Sequence, residues 1–418
     1  MKLKKIWIIL IVAITIRLFL SLVTFHPDIQ AFALAGYLIK QGNILNLYDL
    51  LSALPEGHQI LKSYPTYIFN YPPLIYLWHG LFYSSINIFS NQNFLEMFLF
   101  NVPEALKNPV VFIHLFTLKL PLMVFDLGTG FLLFKFFEDK TKAVIALVLW
   151  LFNPVTLHAT YMMGQFDIIP VFFTILSILL LKNKLTFKTG LLAALSLGLG
   201  AAFKIYPLFF VVPLISLFKS WKIRSLIAFS ALLPYILSIL PFINSSGFRS
   251  NALVASQTTK SFYSQIAVSG GESILLFLSA LAFFYFLFLH NTISPSRVWR
   301  YFFITLLLFF IFTHTHPQWF LWLTPFLIIE LVESKFKNVY AGILALMSFI
   351  GLLFFFDPSL TIGLFAPLWR DLYSSKSLWE LLNISIDFNF ARSFLHSIFV
   401  GAGLFYLYIY FPRSEEEK

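Results

Sequence analysis

Residues 1–25 read MKLKKIWIILIVAITIRLFLSLVTF, a basic start followed by an apolar run. The run is long enough to cross a bilayer as one helix, which takes about 20 apolar residues. It is too long for a signal sequence and lacks a small-residue cleavage site, so we expect an uncleaved first span. Comparable runs recur along the 418 residues, of which 59% are hydrophobic and 11% charged. A water-soluble surface needs more charge, and the sequence therefore predicts an all-α polytopic membrane protein.

Clusters of basic residues between the apolar runs set the expected orientation. They begin at Lys135, Lys182, Lys219, Ser296 and Glu333, and further basic residues lie at both ends of the chain. Such clusters are typical of cytoplasmic loops, so we expect cytoplasmic termini and about twelve spans that come in pairs. The net charge is +10, and most Lys and Arg residues fall in these short clusters between apolar runs, so the sequence predicts no nucleic-acid partner.

The first external segment is long and covers roughly residues 25–108. Residues 26–42, HPDIQAFALAGYLIKQG, form an amphipathic run that is expected to lie along the membrane surface. Residues 70–89, NYPPLIYLWHGLFYSSINIF, are long enough to pass for a span. A full crossing there would place the basic cluster after Lys135 outside, so an interfacial or re-entrant segment is expected.

Polar residues are concentrated at the predicted external ends of the spans. Ionisable residues at a span end that faces a bundle interior are costly and mark functional sites. The topology brings these distant segments to one face of the membrane. The candidates are Asp28 after the first span, Gln165 and Asp167 in GQFD, Lys204 in AFKIYP, and His314, His316 and Gln318 in THTHPQW.

Each candidate also has a purely structural interpretation. Asp28 could only cap the helix that follows HPD. Gln165 and Asp167 could only end a span, and Lys204 could extend its ammonium from an apolar segment to the water surface. Taken together, the candidates instead indicate a site for an anionic lipid-linked substrate. One external carboxylate would act as a general base, and lysine with histidine would hold a phosphate.

Two histidines in HTH invite a metal interpretation. His314 and His316 have no clear third and fourth ligand nearby in the sequence, so the sequence predicts no metal site. The two rings could also be interfacial residues at a turn. The chain has no cysteine, no phosphate-binding loop and no dinucleotide glycine pattern, which leaves little other catalytic equipment.

Five motifs occur in a fixed order, namely HPD, YPPL, LFNP with GQFD, FKIYP, and HPQWFLWLTPFL. With them the chain resembles, over roughly residues 1–335, the membrane glycosyltransferases of the C-type (GT-C) fold that take a sugar from a polyprenyl phosphate. FKIYP and QWFLWLTPFL are most similar to the branch that adds the first mannose in glycosylphosphatidylinositol assembly and to its prokaryotic relatives. We expect one membrane domain over 1–418, with a core module at about 1–243 and variable helices at about 244–418.

The resemblance implies an inverting transfer of a hexose to a hydroxyl at the external face of a prokaryotic plasma membrane. In that reaction Asp28 would deprotonate the acceptor hydroxyl, and polyprenyl phosphate would leave. The remaining roles that it implies are phosphate binding by Lys204 with His314, His316 and Gln318, a turn fixed by Tyr206, a sugar pocket shaped by Tyr71, and sugar contacts or orientation of Asp28 by Gln165 and Asp167.

The resemblance also implies which partners and cofactors take part. The partners are a lipid-linked sugar donor, a glycolipid or cell-envelope glycan acceptor, and membrane lipid, and no bound cofactor is needed. Related enzymes often carry two acidic residues spaced by one in this loop, whereas PDIQ offers only Asp28, so a variant that depends on a divalent metal stays open. Mannose is the sugar that the resemblance favours, with glucose, galactose and arabinose as alternatives.

Two other functions remain as alternatives. A transporter or lipid-linked sugar flippase would place ionisable groups near the bilayer midplane, where this chain offers only Arg17, Lys119 and Asp126. An oligosaccharide ligase would use the loop at about 244–272 for its acceptor, and that loop is small for handling a polymer. Residues 357–389 would form an external cover over the lipid entry, or simply carry aromatic anchors at the interface.

Overall fold

A computed structural model describes residues 3–86, 91–182, 184–254, 259–291, 293–313 and 316–413, without the side chains of 3–5 and 84–86. Nearly all regular structure in these residues is helical, which confirms the predicted all-α class. One antiparallel hairpin joins β1 (Gln265–Ala267) to β2 (Ser273–Leu275).

The α-helices follow one another along the whole chain. They are α1 (Leu3–Val23), α2 (Ile29–Lys40), α3 (Leu47–Ala53), α4 (Gln59–Ser63), α5 (Pro73–Ile86), α6 (Gln92–Phe100), α7 (Val102–Ala105), α8 (Val110–Phe136), α9 (Lys140–Leu151), α10 (Pro154–Thr156), α11 (Ile168–Lys182), α12 (Phe187–Phe203), α13 (Val211–Ile215), α14 (Trp221–Ile239), α15 (Leu276–His290), α16 (Trp299–Phe312), α17 (Phe320–Glu333), α18 (Val339–Leu353), α19 (Leu378–Leu381) and α20 (Phe388–Ile409). Short 3₁₀ or π turns link several of them.

Within the described ranges, six helices are long and apolar enough to cross a membrane. A long helix pairs all its backbone polar groups internally, as the lipid interior requires. Six long apolar helices are therefore consistent with a membrane protein. The predicted total of about twelve spans stays a prediction, because apolar helices such as α11 and α12 have only 15 and 17 residues. The six are Ile6–Val23, Val110–Phe136, Lys140–Met162, Trp221–Phe242, Pro295–Phe312 and Phe388–Ile409.

Glycines let α2 pack closely on α5 within the long segment after the first span. A Cβ at Gly36 would lie 2.6 Å from Tyr83 Cδ1, and one at Gly80 would collide with the side chain of Ile39. Both helices lie before α8, and α5 has only 14 residues. That length suits the expected interfacial or re-entrant segment, whose position relative to a membrane stays a prediction.

The charged residues inside the long helices have polar partners on other parts of the bundle. Arg17 Nε of α1 donates to Asp126 Oδ2 of α8 at 2.5 Å, and both side chains are fully buried. Tyr161 Oη and Trp150 Nε1 also donate to this carboxylate, at 2.6 and 2.9 Å. Lys119 Nζ donates to the Thr24 carbonyl oxygen at 2.6 Å. These contacts join α1 to α8, as expected of buried polar groups that must find partners.

The segment after α18 folds back over the end of α1. It runs through 3₁₀ turns at Pro358–Leu360, Ile362–Phe365 and Arg370–Ser374. The Phe25 N–H donates to the Leu364 carbonyl oxygen at 2.8 Å, which anchors the segment just beyond the first span. It therefore contributes a wall to the cavity described next.

Candidate active site

A cavity of about 520 Å³ lies beyond the end of α1. Its walls come from residues 26–32, 63–71, 163–165, 316–319 and 356–360. These segments are far apart in the sequence, and the helical bundle brings them together. Of the predicted site residues, Asp28, Tyr71, Gln165, His316 and Gln318 line this cavity. A cavity of this size fits a small ligand, since ligand sites typically measure about 300–1,000 Å³.

Asp28 presents its carboxylate to the cavity. The side chain is half exposed, and Gln165 Nε2 donates to Asp28 Oδ2 at 2.6 Å. Asp28 occupies the N-cap position of α2, yet its side chain makes no capping hydrogen bond. The structure therefore gives the carboxylate a different partner from the one that the helix-cap interpretation requires.

The turn that carries Gln165 depends on a glycine. Gly164 has φ +73°, a conformation that L side chains rarely adopt, and a Cβ there would lie 2.9 Å from Ile29 Cδ1. The Gln165 N–H is held by the Ala159 carbonyl oxygen at 2.9 Å. These constraints fix the amide of Gln165 against Asp28.

His26 supports Asp28 from the side of α1. Burial lowers the pKa of the His26 ring, although Asp28 and Asp357 oppose that shift, so the ring is neutral at pH 7. Its Nδ1 accepts the Asp28 N–H at 3.3 Å, which leaves the proton on Nε2, 3.4 Å from Ser359 Oγ. Sequence reasoning missed His26, although HPD already placed it two residues from the carboxylate.

Lys204 and Asp167 form a buried ion pair next to the cavity. Lys204 Nζ donates to Asp167 Oδ1 at 2.7 Å, and Trp322 Nε1 donates to the same oxygen at 2.5 Å. Burial lowers the pKa of the Lys204 ammonium, although the carboxylates of Asp167 and Asp28 oppose the shift. Lys204 Nζ lies 5.2–5.5 Å from four ring centroids, those of Tyr71, Phe166, Trp319 and Trp322.

This arrangement changes the interpretation of three predicted residues. The described lining of the cavity does not include Lys204, Asp167 or Tyr206. The ring of Tyr206 stacks on that of Trp322, with centroids 4.0 Å apart. The ammonium of Lys204 binds Asp167 and is surrounded by the four rings named above, which we call the aromatic wall. This geometry favours a supporting role for Lys204 over direct contact with a donor phosphate.

A second cation lies beside the cavity lining. Lys260 Nζ is 3.1 Å from His316 Nε2, and because an ammonium only donates, the ring accepts at Nε2 and carries its proton on Nδ1. Partial burial lowers the pKa of the Lys260 ammonium. His316 also packs edge-on against Trp319. His314, the other predicted histidine, lies outside the described residues.

Among the residues described, no group of three or more His, Asp or Glu side chains is placed to hold a metal ion.

Asp357 is a second acidic residue in the cavity lining, besides Asp28. The carboxylate of Asp357 caps the 3₁₀ turn that follows it, because Asp357 Oδ1 accepts the Ser359 N–H at 2.8 Å. The pattern DPS is a cap signature, but nothing local in the sequence places it beside Asp28.

The fold and cavity define a helical membrane protein with a polar, partly enclosed site that carries a carboxylate on one wall and a histidine–lysine pair at another. No known family model matches the chain, and no curated protein compared with it is significantly similar.

Proposed function

We propose that this protein is an inverting glycosyltransferase that moves a hexose, with mannose favoured, from a polyprenyl-phosphate donor to a glycolipid or glycan acceptor. The observation that supports this most directly is the Asp28 carboxylate, oriented by Gln165 and open to a cavity at the end of the first span. The reaction takes place at the external face of a prokaryotic plasma membrane, where the polyprenyl chain remains in the bilayer.

In the proposed reaction Asp28 is the general base. Its carboxylate takes the proton of the acceptor hydroxyl, and the resulting oxygen nucleophile attacks the anomeric carbon from the side opposite the phosphate. The new glycosidic bond forms as the bond from the anomeric carbon to the phosphate oxygen breaks, and that electron pair leaves with polyprenyl phosphate. A base must come within about 2.6–3.2 Å of the proton donor, which a half-exposed carboxylate in the lining permits.

The leaving phosphate gains negative charge, and the His316–Lys260 pair supplies the opposing charge. His316 lines the cavity, and Lys260 Nζ lies within hydrogen-bond distance of its ring. Fixed donors aimed at developing charge are usually the largest catalytic contribution. The resemblance assigned Lys204 to this task, whereas we propose that Lys204 supports the surrounding aromatic rings through its contact with Asp167.

The purified full-length protein is expected to release polyprenyl phosphate from polyprenyl-phosphate mannose when an acceptor is present. The measurement follows release and the product mass, and a gain of one hexose is the expected result. Glucose and arabinose donors are run alongside. No release from any donor, combined with counterflow of labelled substrate in proteoliposomes, would support a transporter instead, and transfer of a whole oligosaccharide would support a ligase.

Replacing Lys260 with glutamine is expected to slow turnover about tenfold or more, because a hydrogen bond to a charged group contributes about 1.5–3 kcal/mol. The comparison is steady-state kinetics of Lys260→Gln and of Lys62→Gln, since Lys62 is an exposed lysine on the long external segment. Equal loss in both variants, or none in Lys260→Gln, would remove Lys260 from the phosphate site.

A further inference from the structure

A second cavity, of about 230 Å³, lies beside the first turns of α20, and the reaction described above assigns no role to the residues that line it. Its lining includes Asn389, Arg392, Ser393 and His396, whose spacing of i, i+3, i+4 and i+7 puts them on one face of the helix. Thr313, just after α16, adds a hydroxyl to the same lining. A helix long and apolar enough to span a bilayer thus carries one polar face over its first two turns.

Arg392 is the centre of this polar face. Its Nη2 donates to Asn389 Oδ1 at 2.5 Å, and its guanidinium lies 5.1 Å from the ring centroid of Phe356. Within the described part of the chain, no carboxylate forms an ion pair with Arg392. Asp387, five residues earlier, already accepts the N–H groups of Asn389 and Phe390 as the helix cap.

Arg392 lies in the first two turns of a helix long enough to span a bilayer, where an ionisable residue is a candidate functional residue. Its guanidinium can bind two oxygens of a phosphate in parallel, which makes it well suited to phosphate recognition. The hydroxyls of Ser393 and Thr313 already donate to the carbonyl oxygens of Asn389 and Phe309, at 2.8 and 2.6 Å, so Arg392 is the donor on which phosphate binding depends. The chemistry of this lining therefore fits a phosphate.

The second cavity adjoins the cavity that holds Asp28, which we call the central cavity. Phe356 lines both of them, so its ring forms part of the partition. A narrow gap between them is lined by His316 of the central cavity and His396 of the second. A group bound at Arg392 is thus one aromatic side chain away from the cavity that holds Asp28.

The surroundings of this cavity are apolar on the outside. Phe390 and Phe394, which flank the polar face of α20, are 69% and 59% exposed. In a bilayer these rings face lipid, because exposed apolar side chains on a spanning helix have no other favourable environment. A ligand with acyl chains could leave its chains among these rings while its phosphate enters the cavity.

We propose that the Arg392 cavity binds the phosphate of the lipid-anchored acceptor, and holds that acceptor beside the central cavity. The assignment to the acceptor rests on the proposed function, because the proposed reaction assigns the donor phosphate to His316 and Lys260. The binding of a lipid phosphate at Arg392 does not rest on it.

The test uses the purified full-length protein in detergent micelles with phosphatidic acid, and with diacylglycerol of the same chains as the probe that lacks phosphate. Bound lipid is counted by native mass spectrometry. The wild type is expected to retain phosphatidic acid over diacylglycerol, and Arg392→Gln to lower that retention about tenfold, as expected for one charge-assisted contact. Arg392→Lys should fall between them, since it keeps the charge without the planar donors.

Arg370→Gln is the matched control. Arg370 is an exposed arginine, and the sequence predicts it on the same side of the membrane as Arg392. Melting temperatures of all variants show whether lost binding is merely lost folding, and Arg392→Lys serves if Arg392→Gln does not fold. Equal retention of the two lipids by the wild type, or equal loss in Arg370→Gln, would overturn the site. Displacement of phosphatidic acid by millimolar inorganic phosphate would show that the Arg392 cavity binds free phosphate and not a lipid phosphate.

Kinetics separate this proposal from the function on which it rests. Arg392→Gln is expected to raise the KM for a phosphate-bearing lipid acceptor about tenfold and to leave the KM for the donor unchanged, as expected for one charge-assisted contact. Normal transfer with an unchanged acceptor KM would overturn the acceptor assignment alone. No transfer by the wild type, with binding of phosphatidic acid still dependent on Arg392, would overturn the glycosyltransferase and leave the lipid site standing.

Discussion

The Asp28→Asn variant is expected to lose about 100- to 10,000-fold in turnover, which is the usual contribution of a general base. Asparagine keeps the shape of the side chain, and its carbonyl oxygen can still accept the hydrogen bond from Gln165 Nε2. It cannot take a proton from the acceptor hydroxyl at neutral pH. The loss should therefore appear in the rate of polyprenyl-phosphate release, with binding of the donor and the melting temperature close to those of the wild type.

Asp357→Asn is the matched control for this experiment. Asp357 lines the same cavity, but its carboxylate caps a 3₁₀ turn, and asparagine caps turns about equally well. Its turnover should stay within a few-fold of the wild type, because the cap survives. If Asp357→Asn were inactive while Asp28→Asn kept its rate, Asp357 would be the base and the orientation by Gln165 would have another purpose.

Long-range patterns in the sequence were sufficient for the class of fold and for several members of the site. Apolar runs predicted a helical membrane protein because lipid leaves few other options for a chain with 11% charged residues. Placing the basic clusters on one side predicted that Asp28, Gln165 and His316 would meet, and these three do line one cavity. The count of spans could not be fixed in this way, since short apolar helices such as α11 can cross or lie within the bundle.

Pairing between distant side chains was beyond the sequence. Lys204 and Asp167 looked like two separate polar residues at two turns, and nothing local shows that one neutralises the other. Arg17 and Asp126 looked like isolated charges in spans, the feature that a transporter would share, yet they bind each other across 109 residues. Lys260 lies in the loop at about 244–272, and nothing local in that loop predicts its contact with His316, which bridges 56 residues.

Removing one member of the Lys204–Asp167 pair is expected to lower the free energy of unfolding by about 3–5 kcal/mol, because it leaves the partner as an uncompensated buried charge. Asp167→Asn leaves the Lys204 ammonium among aromatic rings, and Lys204→Met leaves the carboxylate with Trp322 Nε1 as its described donor. The double variant removes both charges and should be more stable than either single variant. Thermal unfolding in detergent measures the stability of the two single variants and the double variant.

The pH dependence identifies the charge that is responsible. Burial already lowers the pKa of Lys204 below its ordinary 10.5, and loss of Asp167 removes the stronger of the two carboxylates that oppose this shift. Between the lowered pKa and 10.5 the unfolded chain binds more protons than the folded one, so stability rises with pH in that window. The melting temperature of Asp167→Asn should therefore recover as the pH is raised from the lowered pKa toward 10.5. Neither Lys204→Met nor the double variant should show this recovery.

The same variants decide between the two roles of Lys204. A lysine that supports the wall through Asp167 predicts that the double variant regains much of the turnover lost in each single variant, because the aromatic rings of Tyr71 and Trp319 return to their places. A lysine that contacts the donor phosphate predicts a double variant that melts well but keeps the raised donor KM of Lys204→Met. The second result would return Lys204 to the role that the resemblance implied, and would require the ion pair to open when the donor binds.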